Sequence, residues 1–305
     1  MKQAAIILAA VLAASPATAD DGSSNAGSAD KPPSTGLSVF VNAAGYIAAD
    51  NAAEFYSGRD SNPNKINNIL KSDLYGNTIW EHLVDAGYIS PSAVGSHEQL
   101  TVVEFPPKME YRLSYQIGLG LRYDYQSGFG WLLRFDMAKL QAQGGFNLST
   151  GGVPLLGSDQ YITCGIFGKE NRYNIDLALT KTVSLNDMAD LELNIGTGLV
   201  NIKIEENAID VAGATYSILD RTDGEIPSSY TAEYDYQNQG RIGYGVFATV
   251  ATGYRITGIG AVKLYYTCRH DRITFYDRVA HDNRKVWGWQ HAFGIRIEMN
   301  NFSFL

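Results

Sequence analysis

The chain has 305 residues and an acidic balance, with 24 Lys and Arg against 32 Asp and Glu and a formal net charge of −8 at pH 7. Nucleic-acid-binding proteins normally carry a basic face, so no nucleic-acid partner is expected. The two cysteines, Cys164 and Cys268, are too few for a disulfide framework. They fall in segments assigned below to strands that are not neighbours, so we expect two free thiols.

The N-terminus has the features of a secretory signal peptide. Lys2 precedes an apolar run at 4–14, and Ala17-Thr18-Ala19 forms a small-residue cleavage site. The apolar run is shorter than the roughly 20 residues that a membrane-spanning helix needs. We therefore predict a signal peptide at residues 1–19 and, because the next segment is polar and poor in large apolar side chains, a flexible lead-in at 20–36.

The stretch from Tyr111 to Met137 alternates apolar and polar residues over two strands. Apolar or aromatic side chains occupy every second position from Tyr111 to Tyr125, and the alternation resumes after the turn at 126–128. A period of two is that of a β-strand, and these strands exceed the roughly 5–6 residues common in soluble proteins. One apolar face and one charged face are typical of a hairpin in a transmembrane barrel.

The same alternation predicts further strands on both sides of this hairpin. They are expected at 37–48, 160–183, 189–206, 241–255, 261–275 and from 286 to the C-terminus. Within 160–183 the apolar parity slips between Gly168 and Arg172, and either a β-bulge or a tight turn would explain the slip. Counting a bulge gives eight strands. Counting a turn, with one more strand hidden in the following polar segment, gives ten.

The connections between these strands alternate in length. Long loops are predicted at 49–108, 143–159, 207–240 and 276–285, and short turns at 126–128, 184–188 and 256–260. Transmembrane barrels carry long loops outside and short turns in the periplasm. With an even number of strands both termini lie on the side of the short turns, so both are expected in the periplasm.

The loop 49–108 should contain short helices, because 64–70 and 78–86 have helical spacing of apolar residues. Thr78 with Glu81 suggests a capping box at the start of the second helix, and Gly87 its end. Two interpretations remain open: the loop folds over its own Trp80 and Leu83, or it is a module that binds a partner.

Aromatic residues stand at strand ends, as at Tyr123, Trp131 and Trp287. The last strand, WGWQHAFGIRIEM, alternates in the same way, and the chain finishes on Phe304-Leu305. In these features residues 37–305 resemble the small outer-membrane β-barrel proteins of Gram-negative bacteria. The resemblance implies a transmembrane, antiparallel up-and-down barrel in the outer membrane, in contact with its lipid. Members usually end on an aromatic residue, whereas Leu305 is last here.

Placing the polar parity inward assigns charges of both signs to the barrel interior. They are Glu110, Arg112, Arg122, Asp124, Arg134, Asp136, Arg172, Asp176, Glu192, Lys263, Arg269, Asp271, Arg296 and Glu298. An eight-stranded barrel is just wide enough for side chains to fill, and charges buried there must pair. A selective pore would more naturally show one dominant sign. The pattern favours a plugged, salt-bridged interior over a narrow channel, which ten strands would favour.

Catalytic candidates are weak. His270-Asp271 and His281-Asp282 lie near the last outer loop, where some outer-membrane enzymes carry their active sites. Adjacent residues of a strand point to opposite faces, so neither dipeptide forms a dyad by itself. No cofactor is expected, because the pairs Gly118-x-Gly120, Gly128-x-Gly130 and Gly258-x-Gly260 lack the following helix of a dinucleotide-binding motif. No metal site is expected either, because ligand spacing is missing.

Three functions therefore remain. The first is a structural or interaction protein that works through loops 49–108 and 207–240, with a possible protein partner there. The second is a small porin or transport channel. The third is a hydrolase with a site at the outer rim. The balanced interior charges and the length of the two loops favour the first.

Overall fold

Eight antiparallel strands form a closed ring in this protein. The computed structural model describes residues 36–62, 64–91, 95–151, 161–186, 188–219, 239–256, 260–277 and 282–300. The predicted signal peptide at 1–19 lies outside the described residues, as does the lead-in up to residue 35. The ring strands are β1 (Gly36–Ile47), β4 (Ser114–Asp124), β5 (Phe129–Ser149), β6 (Tyr161–Ser184), β7 (Ala189–Val211), β9 (Gly240–Ile256), β10 (Gly260–Asp277) and β11 (Asp282–Asn300).

The ring closes where the first and last strands meet. β1 pairs with β11, and Ser38 lies opposite Asn300, so the two chain ends of the barrel are at the same rim. Three short strands lie off the ring: β2 (Thr101–Glu104) and β3 (Glu110–Tyr111) pair with β5, and β8 (Ala214–Ser217) pairs with β7. The predicted antiparallel up-and-down barrel of eight strands is confirmed. We call the rim near Gly36 the terminal end and the opposite rim the cap end.

The ten-strand alternative is wrong, because β6 is one continuous strand. Even-numbered side chains face inward along its whole length, from Ile162 to Thr182. What changes along β6 is which face is apolar. Towards the terminal end the outward-facing residues are apolar, whereas towards the cap end the inward-facing residues are apolar. The bulge lies on the neighbouring strand, since Lys169 pairs with Glu206 but Glu170 pairs with Ile204.

The segment 207–240 begins as a hairpin. β7 continues to Val211 and turns back through Ala212 and Gly213 into β8. Both turn residues have positive φ, 53° and 89°, which is the conformation of a tight hairpin turn. A further strand is therefore present in this segment, but it extends β7 at its edge and does not join the ring. Residues 220–238 lie outside the described part of the chain.

The loop 49–108 folds into a helical cap. Its helices are α1 (Asp50–Ala53), α2 (Ile66–Leu70) and α3 (Asp73–Asp85), with 3₁₀ turns at Glu54–Tyr56 and His97–Gln99. α3 starts earlier than predicted, because Ser72 is its N-cap residue; Thr78 lies mid-helix and donates to the Leu74 carbonyl. None of the described helices has the length and apolar character needed to cross a membrane.

The cap and the cap-end half of the barrel share one hydrophobic core. Helical residues such as Ile69 and Leu83 are fully buried in the same cluster as the inward residues Leu148 and Ile202 of the strands. Phe55 stacks on Phe275 of β10 with ring centres 4.3 Å apart. The loop therefore packs on its own Leu83 and Trp80 and on the barrel wall together, a joint core that neither interpretation of the loop anticipated.

Both cysteines are free thiols. Cys164 is buried in the shared core, where burial, reinforced by the neighbouring Asp210 carboxylate, raises the pKa of its thiol to about 12. Cys268 faces outward on β10, opposite His291 of β11. A thiol held neutral by burial is inert, so Cys164 acts as a packing residue.

Phe55→Ala should loosen the cap while leaving the ring intact. Losing a fully buried phenylalanine costs about 3–5 kcal/mol in a packed core. We expect faster trypsin cleavage at the exposed Lys71, with an unchanged shift of the unheated band on a denaturing gel. Leu74→Ala is the control, because Leu74 is 49% exposed on α3. Equal cleavage of the two variants would contradict the shared core.

Candidate functional site

The interior towards the terminal end holds an ion-pair network centred on Glu192 of β7. The Glu192 carboxylate accepts hydrogen bonds from Lys263 at 2.5 Å and from Arg296 at 2.6 Å, and also from Arg122. Glu298 lies within 3.0 Å of the Lys263 ammonium and 2.9 Å of the Arg122 guanidinium. These residues come from four strands, so their ion pairs tie opposite walls together.

A second network fills the middle of the barrel around Asp176 of β6. Asp176 lies directly opposite Arg134 in the strand register and accepts from it at 2.7 Å. It also accepts from Arg269 of β10 at 3.0 Å. Asp136 pairs with Arg134 at 2.8 Å, and Asp271 pairs with Arg269 at 2.8 Å. Every member of this network is buried.

A third cluster joins the barrel interior to the cap. Glu170, fully buried, accepts from Arg172 at 2.5 Å and from the Tyr56 and Tyr111 hydroxyls at 2.5 and 3.1 Å. Burial and the nearby Glu170 carboxylate raise the pKa of Tyr56 well above its usual range, so its hydroxyl stays protonated and donates. Arg172 also donates to Gln290 of β11 at 3.1 Å.

The structure buries most of the predicted interior charges and brings them into contact. The buried ones are Arg122, Asp124, Arg134, Asp136, Arg172, Asp176, Glu192, Lys263, Arg269, Asp271, Arg296 and Glu298. The exceptions, Glu110 and Arg112, are exposed, and they contact Lys108 and Gln143 respectively.

A bulge explains why Glu110 and Arg112 lie outside. Tyr111 pairs with Ala142, whereas Tyr115 pairs with Lys139. The chain from Tyr111 to Tyr115 therefore has one residue more than the segment of β5 that it pairs with. An extra residue reverses the facing of the side chains that precede it. Tyr111 therefore points inward to Glu170, and its even-numbered neighbours point away.

Two buried acids were missed by the sequence reasoning. Glu170 shares the inward parity of Arg172, and Asp190 shares that of Glu192. Glu170 could have been found by continuing the parity through the supposed slip, since the inward face never changes there. Tyr56 could not, because it reaches Glu170 from a loop distant in sequence.

The catalytic candidates do not form a site in the described residues. His270 faces outward and stacks against Trp287 and Trp289, with ring centres 5.1 and 4.6 Å apart. Asp271 faces inward, is fully buried and is bound by Arg269 and Gln290. His281 and the side chain of Asp282 lie outside the described part. No group of three or more His, Cys, Asp or Glu residues that could hold a metal occurs among the described residues.

Comparison with known proteins finds distant structural resemblances only. No family model matches the chain, and no curated protein matches it. Among solved structures it is similar to Neisserial surface protein A, with 11% identity over 86% of this chain and 96% of that chain and a TM-score of 0.32. OprG of Pseudomonas aeruginosa matches with 8% identity, 88% and 97% coverage and a TM-score of 0.35.

A further resemblance is to Ail, the attachment invasion locus protein of Yersinia pestis, with 9% identity, 86% and 97% coverage and a TM-score of 0.31. At such identities and TM-scores these resemblances support no conclusion about what this chain binds or catalyses.

Glu192→Gln should destabilise the barrel strongly. The substitution leaves three buried cations around one neutral side chain, and removing one partner of a buried pair costs about 3–5 kcal/mol. Glu206→Gln is the control, because its pair with Lys169 is partly exposed and worth less than about 1 kcal/mol. The urea midpoint of refolded protein measures both; similar midpoints would show that the network contributes little.

Proposed function

We propose that this chain is a non-conducting outer-membrane barrel that acts as a structural or interaction protein through its cap. The carrying observation is the filled interior. Two ion-pair networks and the shared hydrophobic core occupy the barrel from the terminal end to the cap end.

A membrane location is supported by the outward face of the ring. Soluble proteins rarely expose contiguous apolar patches above a few hundred Å², yet here exposed apolar side chains encircle the barrel. We call this band the apolar belt. Its members include Val41, Ile117, Leu119, Leu133, Phe135, Ile175, Leu177, Ile195, Leu199, Val246, Val250, Leu264, Phe293, Ile295 and Ile297.

Transport through the interior is disfavoured by the pairing of the charges. The arginines and lysines of the middle and terminal-end networks contact acids from other strands, at distances such as 2.7 Å for Arg134 and Asp176. An ion entering this space would have to displace a buried pair, which is costly. Catalysis at the rim is disfavoured because His270 and Asp271 face opposite sides of the wall.

The cap is the surface most suited to a partner. It is built on a rigid core, and it exposes large apolar side chains to the surroundings, among them Leu74 at 49%, Tyr88 at 38% and Val103 at 55%. Ordered surface segments on a rigid scaffold are where binding residues commonly lie.

The refolded protein should be electrically silent in a planar bilayer. A porin of known conductance is measured in the same bilayers as the positive control. Protease protection checks that the refolded protein and the porin insert equally. The expected result is no stepwise current, because a passing ion would have to displace buried ion pairs such as Arg134 with Asp176. Steady, ion-selective steps from the intact barrel would overturn the proposal in favour of the transport alternative.

A photo-reactive residue placed at Tyr88 or Leu74 should cross-link to a discrete protein in cells, since both lie exposed on the cap. The matched control is Gln126, an exposed residue of the turn at the terminal end. Cross-links of equal intensity at all three positions, or at none, would contradict a partner-binding role for the cap.

A further inference from the structure

Aromatic and basic side chains cluster at the cap-end border of the apolar belt. Arg272 of β10 lies between Tyr244 of β9 and Trp287 of β11, its direct neighbours across the sheet. Its Nη1 donates a hydrogen bond of 2.9 Å to the Tyr244 hydroxyl, and the guanidinium lies 5.3 Å from the centre of the Tyr244 ring. Arg272 is therefore held flat against the barrel wall.

The aromatic rings around Arg272 support one another. Trp287 meets Tyr244 edge to face at 5.8 Å, and His270 packs against Trp287 and Trp289. Both tryptophans are about half exposed, at 46% and 53%. Trp and Tyr concentrate at membrane interfaces because an apolar ring carries a polar N–H or O–H. The cluster is thus placed to meet the boundary between lipid chains and headgroups.

Two basic side chains at this border have no acidic partner among the described residues. Lys285 stands two residues from Trp287 on the same face of β11, opposite Thr274. That register makes it a diagonal neighbour of Arg272, a spacing of about 7–8 Å. Among the side chains that the structure describes, neither Arg272 nor Lys285 has an acidic partner.

Two other outward lysines near the cap end are paired with acids. Lys139 contacts Glu205 at 3.5 Å, and Lys169 contacts Glu206 at 2.6 Å. Arg272 instead has the exposed Val246 as its diagonal neighbour on β9. Unpaired cations bordering an apolar surface complement a ligand with an anionic head and an apolar tail.

We propose that Arg272 and Lys285 bind the phosphate group of an outer-leaflet lipid, whose acyl chains lie on the apolar belt over Val246 and Leu264. This rests on the proposed membrane location. Arginine has five N–H donors, of which one is used by Tyr244 in the described contacts, so the others can meet phosphate oxygens. Lys285 adds a second point charge, and the Trp287 indole covers the glycerol or sugar next to the phosphate.

The test counts lipid molecules that remain bound to the folded, full-length chain in native mass spectrometry after detergent exchange. The probes are lipid A, a phosphorylated glycolipid, and the same lipid with its phosphates removed by a phosphatase. We expect preferential retention of the phosphorylated form. Arg272→Gln with Lys285→Gln should lower that retention about tenfold, because two basic contacts at a membrane surface are lost.

Lys181→Gln is the matched control. Lys181 also lies over an aromatic ring, 3.9 Å from the centre of Phe129, but at the opposite end of the belt. It should retain the lipid as the unaltered protein does. All variants are first checked for the gel shift of a closed barrel, and Arg272→Lys, which keeps the charge, should show an intermediate loss.

Four outcomes would overturn the proposal: unchanged retention in the double variant, an equal loss in Lys181→Gln, equal binding of the dephosphorylated lipid, or displacement by inorganic phosphate alone. Formation of dimers that exclude lipid would assign the cluster to a second copy of the chain instead. A protein that enters lipid nanodiscs but shows no phosphate preference loses only this proposal. A protein that does not enter them loses the membrane location as well.

Discussion

The closed ring of eight strands is the constraint on which the rest of the structure depends. A ring of this size leaves room inside for side chains only, so each inward charge must meet a partner there. Glu192 meets three cations and Asp176 meets two. The three partners of Glu192, and Arg269 at Asp176, come from strands that are not adjacent, so these pairs form only when the sheet curls into the ring. The same contacts that stabilise the closed ring also occupy its interior, and on this we base the proposal that the barrel does not conduct.

The apolar face of the sheet changes sides along the strands, from the outward face to the inward face. From the middle of the barrel towards the terminal end, β6 carries Ile175 and Leu177 outward and Asp176 inward. Near the cap end the same inward parity carries Ile162 and Ile166 into a core completed by the helical loop. Glu170 lies at the transition and receives the hydroxyl of Tyr56 from that loop. Its position couples the ion pairs of the barrel to the packing of the cap.

Because side chains occupy the interior, the surfaces suited to binding are on the outside of the barrel and its cap. The cap offers exposed apolar residues on a rigid core, which suits a protein partner. The border below it offers Arg272 held against Tyr244, with Lys285 nearby, which suits an anionic headgroup. The two surfaces differ in chemistry and adjoin at the cap end, so a lipid bound at the border would lie beside any partner of the cap.

The sequence by itself determined the strands, their number on the bulge interpretation, and most interior charges, such as Arg134 and Asp176. These follow from a side-chain period of two, which is a local property of each strand. Only the tertiary structure decided that Glu110 and Arg112 face outward, because that depends on a bulge in the pairing of β3 and β4 with β5. It alone also decided that the loop 49–108 completes a core with the strands. Pairing register and loop packing join residues far apart in sequence, and local periodicity carries no information about either.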